Sequence, residues 1–407
     1  MTPDERLRRY ADLAVRVGVN LQEGQELIVS GVVEHAPLVA AIAESAYAAG
    51  ASYVHADYGD KRVKRAMIAG APEDRLGWTP PQAIRLLEHE AEARAAEIHI
   101  VGDPLPDLFD DLDPTRVGKS RMLKASEMRL SQINDGSISW CIIAYPNEGW
   151  ATSAFGEPDV ERLWDAVGHA VRLHEDDPVA AWKEHVDRLT RRAEALNRHG
   201  FKALRFRGPG TDLRIGLTGR SFWRAATFET KWGQRHVPNL PTEEVFTTPD
   251  WRLTEGHVRS TRPLHLPAYG VTVSDLEMTF AGGRIVEVNA SSGADVVRTE
   301  LETDEGAPFL GEVALVDGSS AVGQTGVTFA ETLFDENATC HIAYGAGFAM
   351  VMEGAAGLSP EELKEIGCND SRVHTDFMVG GPEVEVVGLT EDGGETVIIE
   401  NDVWRFS

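Results

Sequence analysis

Asn197-Arg198-His199-Gly200-Phe201-Lys202-Ala203-Leu204-Arg205-Phe206 is where the hydrophobic period of this chain changes. Upstream, residues 178–197 read as one long helix. Asp177 is placed to cap it, and Pro178 falls in the first turn, where a missing N–H is tolerated. Lys183, Glu184, Asp187, Arg188, Arg191 and Arg192 give the helix a solvated face, and Gly200 is placed to end it. Downstream, short alternating segments are punctuated by Gly-Pro-Gly at 208–210, Leu-Thr-Gly at 217–219 and Ala-Gly-Gly at 281–283. That is the pattern of antiparallel strands and hairpins.

Working back toward the N-terminus, apolar strands are expected at 24–31, 53–56, 98–102 and 138–144. Between and around them lie helical patterns at 4–17, 36–49, 61–71, 81–95, 114–134 and 157–174. Strands that are apolar throughout and alternate with helices imply a parallel sheet covered on both faces. The expectation is an α/β N-terminal domain with a mostly parallel sheet over 1–200. An α+β C-terminal catalytic domain rich in antiparallel strands follows over 201–407, with 296–302 as its one clear short helix. No Gly-x-Gly-x-x-Gly or Walker loop opens a helix after any of these strands, which argues against a dinucleotide site.

The 407 residues carry 65 acids against 39 bases, a formal net charge of -26 that disfavours nucleic acid and anionic membranes as partners. Three cysteines, Cys141, Cys340 and Cys368, make no disulfide framework and no Cys-x-x-Cys pair. Cys141 and Cys340 read as packed side chains. Residues 1–6 lack the apolar core of a signal peptide, and no run is long enough to span a membrane, so the reading is cytoplasmic.

The chemistry lies in the second half. In His374-Thr375-Asp376-Phe377-Met378 an imidazole and a carboxylate stand two residues apart, on one face of an extended strand. Such a pair suits zinc, cobalt or manganese, or else a simple His–Asp hydrogen bond. Phe309-Leu310-Gly311-Glu312-Val313-Ala314-Leu315-Val316 buries one acid in an apolar run, which is costly unless the acid is paired or binds a cation. His341 lies in another apolar run, and Asn239 to Asp250 is a Pro-bracketed segment with Glu243 and Glu244 ahead of Val245-Phe246-Thr247. There is no Gly-x-Ser-x-Gly and no His-Glu-x-x-His.

In this order, Pro-x-Glu-Glu-Val-Phe-Thr-x-Pro, Leu-Gly-Glu, Glu-Asn-Ala-x-x-His-Ile-Ala and His-x-Asp-Phe-Met, the four segments resemble the thermophilic metallo-aminopeptidases (aminopeptidases T and S). The resemblance extends over nearly the whole chain. It implies a metal-dependent aminopeptidase with two divalent ions per chain (zinc, cobalt or manganese), held by Glu244, Glu312, His341, His374 and Asp376. Glu244 and Glu312 would also count as catalytic. The resemblance further implies short peptide substrates and a homodimer.

Glu244 is preferred to Glu243 because it directly precedes Val-Phe-Thr. Glu243 then reads as a solvent-facing acid, with proton shuttle or amine anchor as alternatives. One departure stands out: Phe348 occupies a position where the family usually carries a tyrosine, whose hydroxyl would polarise substrate. Tyr344 falls on a different motif position. Two other readings use the same residues. One is a non-haem iron ring-cleaving dioxygenase, which would need only His341, His374 and Asp376. The other is a catalytically weak metal-containing binding protein.

Overall fold

The structure is a computed structural model describing all residues except Pro267, Ala268, Gly270, Ala356 and Ser407. The chain forms two compact units. One is built chiefly from Met1–Glu184 and Thr227–Pro241, the other from His185–Ala226, Thr242–Leu266 and Val271–Ser407.

The first unit is an α/β structure on four parallel strands, ordered Tyr53–Gly59, Glu26–Val32, Ala96–Val101, Ser139–Ala144. Its outer strand at Ser139–Ala144 is covered by the returning segment. Ile142 donates to the Pro238 carbonyl at 2.7 Å, and Leu240 donates to Ile142 at 3.0 Å. These two bonds occupy the outward-facing amide and carbonyl of Ile142 at the middle of that edge. The single helix expected at 114–134 is two helices, Pro114–Lys119 and Leu123–Asn134. Ser120 ends the first, its amide and hydroxyl both donating to the Val117 carbonyl, a local bond that competes with helix continuation. A further helix, Glu148–Phe155, is capped by Asn147 and buries Trp150.

The second unit carries two large antiparallel sheets and, among the described residues, a two-stranded antiparallel pair, Leu264–Leu266 with Val271–Val273. Eight strands run in the order Arg284–Asn289, Glu277–Ala281, Thr254–Arg259, Thr211–Gly216, Ala203–Gly208, Glu385–Leu389, Glu395–Glu400, Val403–Trp404. Five run in the order His374–Met378, His341–Gly345, Leu310–Leu315, Val245–Thr247, Arg224–Ala225. One core joins them: Leu204, Phe206, Leu213 and Ile215 of the larger sheet cluster with Val313, Leu315, Ile342, Tyr344 and Phe377 of the smaller. Each such fully buried side chain contributes about 1.5–3 kcal/mol relative to exposure. Besides Ala294–Leu301, where one helix was expected, short helices occur at Ala321–Gln324, Thr332–Asp335 and Pro360–Glu365. Their four to six residues are too few for a hydrophobic period to register. Among the described residues no helix is long and apolar enough to cross a membrane.

Candidate metal centre

The five-stranded sheet is two-faced, and the period of two decides which residues meet. Val245, Val313, Ile342, Tyr344 and Phe377 point into the shared core. Their neighbours Glu244, Phe246, Glu312, His341 and Asp376 therefore belong to the opposite face, together with His374 two residues before Asp376. A register shift between Leu310 and Glu312 lets Leu310 enter the core without turning Glu312 away from the other face.

All five residues expected as ligands come together. Single oxygen or nitrogen atoms of Glu244, Glu312 and His341 lie within 4.8 Å of one another, and so do those of Glu312, His374 and Asp376. Glu312 is common to both groups. The shortest approaches are His341 Nε2 to Glu244 Oε2 at 3.0 Å and His374 Nε2 to Glu312 Oε2 at 3.2 Å. His374 Nε2 is 3.5 Å from Asp376 Oδ2. The His341 side chain is fully buried, whereas that of His374 is 27% exposed, so the site opens on the His374 side.

Each imidazole is oriented from behind. Nδ1 of His374 donates to the Ala346 carbonyl at 2.9 Å, and Nδ1 of His341 donates to that of Thr339 at 3.4 Å. Carbonyls only accept, so the Nδ1 atoms carry protons and both Nε2 atoms turn toward the carboxylates, the arrangement found behind metal-ligating histidines. Asp376 Oδ1 is buried without a hydrogen-bond partner. Several acids packed together, one with an unsatisfied oxygen, call for a cation.

The electrostatics agree. Burial, reinforced by Asp376 and Glu244, pushes the Glu312 carboxyl up to about 7. Burial works against a charged His341, but the bond and charge of Glu244, with Asp376 and Glu312, outweigh it and raise the imidazole to about 10. His374 is raised well above its ordinary value by the same contest, chiefly through Asp376. The surrounding carboxylates thus favour positive charge in the site.

Glu336 is the site residue that sequence reasoning did not single out. It lines a narrow crevice with Asp376, and its carboxyl is driven well above the usual range by burial and by Asp376 and Glu244. The available signal was its place at the head of Glu336-Asn337-Ala338, five residues before His341.

Glu243 corrects an expectation. It does not face solvent: its side chain is 1% exposed and its carboxylate lies 3.5 Å from His185 Nε2. Tyr344 lies on the core face and donates to Glu300 at 2.5 Å. Phe348 packs against His374 with its ring tilted, centroids 4.8 Å apart, and meets Phe246 edge-on. Cys340 is tied to Val316 through both backbone groups, and burial pushes its thiol up to about 12. A thiol so held is inert packing.

Comparison with known proteins gives one family. The profile of the thermophilic metalloprotease (M29) family matches residues 3–404. Aminopeptidase T of Thermus aquaticus is 41% identical over 406 residues, covering 98% of both chains. Aminopeptidase 2 of Geobacillus stearothermophilus is 38% identical over 409 residues, covering 99% of this chain and 98% of its own. The solved structure of wild-type AmpT from Thermus thermophilus superposes with a TM-score of 0.89 at 39% identity, covering 98% of each chain.

Proposed function

This chain belongs to the thermophilic metalloprotease (M29) family and is a hydrolase acting on peptide bonds, and we propose that it removes N-terminal residues from short peptides at a two-cation centre. The observation that carries the proposal is the sharing of Glu312 between two ligand groups, Glu244 with His341 on one side and His374 with Asp376 on the other. Two divalent ions bound there supply a water of lowered pKa and polarise the scissile carbonyl.

The protein's own part is to place oxygen and nitrogen donors in a largely buried pocket and to hold the histidine tautomers. Glu336 lines a crevice with Asp376 and adds a further carboxylate beside the cluster. The crowd of carboxylates also favours the positively charged α-amine that marks a peptide's N-terminus. A mononuclear iron site of two histidines and one aspartate would leave Glu244 and Glu312 without a role. The same reading takes the ions as zinc, cobalt or manganese and the enzyme as a cytoplasmic homodimer.

The test is a metal titration. Chelator-stripped protein is titrated with cobalt, zinc, manganese and ferrous iron while release of an amino-acyl leaving group is followed. Two ions per chain with restored hydrolysis, lost in Glu312→Gln, are the expected result. One iron per chain with oxygen uptake on a dihydroxypyridine and no hydrolysis would overturn the proposal.

A further inference from the structure

Glu244 and His341 reach the site from strands that are not neighbours. The Val245–Thr247 and His341–Gly345 strands flank Leu310–Leu315 in the sheet, so their backbones stand about 9–10 Å apart, two strand spacings. Glu244 precedes its strand and lies outside the ladder hydrogen bonds of that sheet. Sheet pairing alone leaves its approach to His341 loosely set.

Asn337 supplies a direct tie. It is wholly buried, with 0% exposure. Its Oδ1 accepts from the Glu243 amide at 2.7 Å, and its Nδ2 donates to the Leu333 carbonyl at 3.0 Å, with Glu336 Oε1 at 3.5 Å. Ser320 Oγ donates to its carbonyl at 2.7 Å. The amide oxygen thus grips the Thr242–Glu243 peptide unit, one unit short of Glu244, while Asn337 itself lies between Glu336 and, four residues on, His341. One partner requires an acceptor and the other a donor, a pairing that a carboxamide satisfies within a single side chain.

We propose that Asn337 is a positioning residue that sets the distance between Glu244 and His341 before any cation binds, an inference that rests on the two-cation reading. Orienting groups behind ligands are typically worth tenfold to a hundredfold in metal affinity. The tie brackets one ligand group and leaves His374 and Asp376 alone, so its loss acts on one of the two cations.

The experiment titrates chelator-stripped wild type, Asn337→Ala and Asn337→Asp with Co²⁺, read by cobalt absorption and calorimetry rather than turnover. Asn337→Ala is expected to weaken one of two cobalt sites about tenfold to a hundredfold and to change the spectrum of that ion. Asn337→Asp keeps an oxygen at the Glu243 amide but loses the donor to the Leu333 carbonyl, and is expected to recover only part of the loss. Folded Asn337→Ala that binds both ions like wild type would overturn the proposal, because a purely structural asparagine lowers thermal stability without moving affinity. Hydrogen exchange on metal-free wild type gives a reading that needs no variant. The Glu243 amide is expected to be protected, and exchange at the rate of an open loop would sink the idea. Wild type that binds two cobalts without hydrolysing peptides would count against the peptidase reading alone.

Discussion

Nδ1 of His374 donates to the carbonyl oxygen of Ala346 at 2.9 Å, and the same carbonyl oxygen lies against Gly311. A Cβ at Gly311 would stand 2.0 Å from it. The absence of a side chain on the Leu310–Leu315 strand is therefore what lets the turn after His341–Gly345 come close enough to orient a candidate ligand. Asn369 braces that turn from the other side, donating to the Gly345 carbonyl and accepting from the Gly347 amide.

Gly311→Ala must push Ala346 outward. Such overpacking costs about 1–3 kcal/mol, and the displaced carbonyl frees His374 to rotate. The expected outcome is a lower unfolding midpoint together with weaker metal binding, seen by denaturant titration of the metal-free protein and by cobalt titration. A variant with normal cobalt affinity would show that the Ala346 bond does not orient His374.

Phe348 covers His374 with a ring that has no hydroxyl. Phe348→Tyr is expected to raise kcat about tenfold or more, since one added donor to developing oxyanion charge is worth about that or better. Little change in KM or metal stoichiometry should accompany it. Steady-state kinetics on an amino-acyl substrate decide the matter, and an unchanged kcat would mean that this chain has no use for the hydroxyl.

Two adjacent acids divide their work. Glu244 faces His341, whereas Glu243 lies against His185, with Arg188 4.0 Å away. Glu243→Gln is expected to cost about 1–3 kcal/mol of stability, since an amide replaces the buried carboxylate beside His185, while two metals still bind. Glu244→Gln should cost little stability and one metal. Urea unfolding and metal analysis of both variants would test this, and the reverse outcome would exchange their roles.

Arg192 grips Asp317 through two bonds of 2.9 and 3.1 Å, both side chains being largely buried. Burial works against the charged carboxylate, but the Arg192 bonds and charge win and hold Asp317 below its ordinary value. Asp402, the other acid facing it, is raised by burial and by the Asp317 charge. A depressed carboxylate stabilises the fold above its unfolded pKa of about 3.9 and loses that contribution as pH falls through the folded value. Asp317→Asn is expected to cost about 3 kcal/mol at pH 7, with the gap to wild type narrowing in acid. Urea unfolding at neutral pH and near pH 3.5 would reveal an unchanged gap if the pair carried no such energy.

Much of this was legible in the chain itself. The change of period at Gly200 is a property of residue order, and so is the spacing of His374 and Asp376, because period and spacing follow from backbone geometry alone. Glu312 declared itself by being an acid in an apolar strand. What tertiary structure decided is which side chains share a face and which segments meet. That Glu243 turns to His185 while its neighbour turns to His341 depends on a partner 58 residues upstream for one and 97 downstream for the other, and local pattern carries no such information. Glu336 joins the cluster because a short 3₁₀ turn, Glu336–Ala338, carries it toward Asp376, and a turn of three residues has no period to read. Residues 227–241 rejoin the first unit through hydrogen bonds of Pro238 and Leu240 to Ile142, 96 and 98 residues away along the chain. Order along the chain sets the elements and the kinds of donors; long-range packing alone sets their distances, and distance is what makes donors into a site.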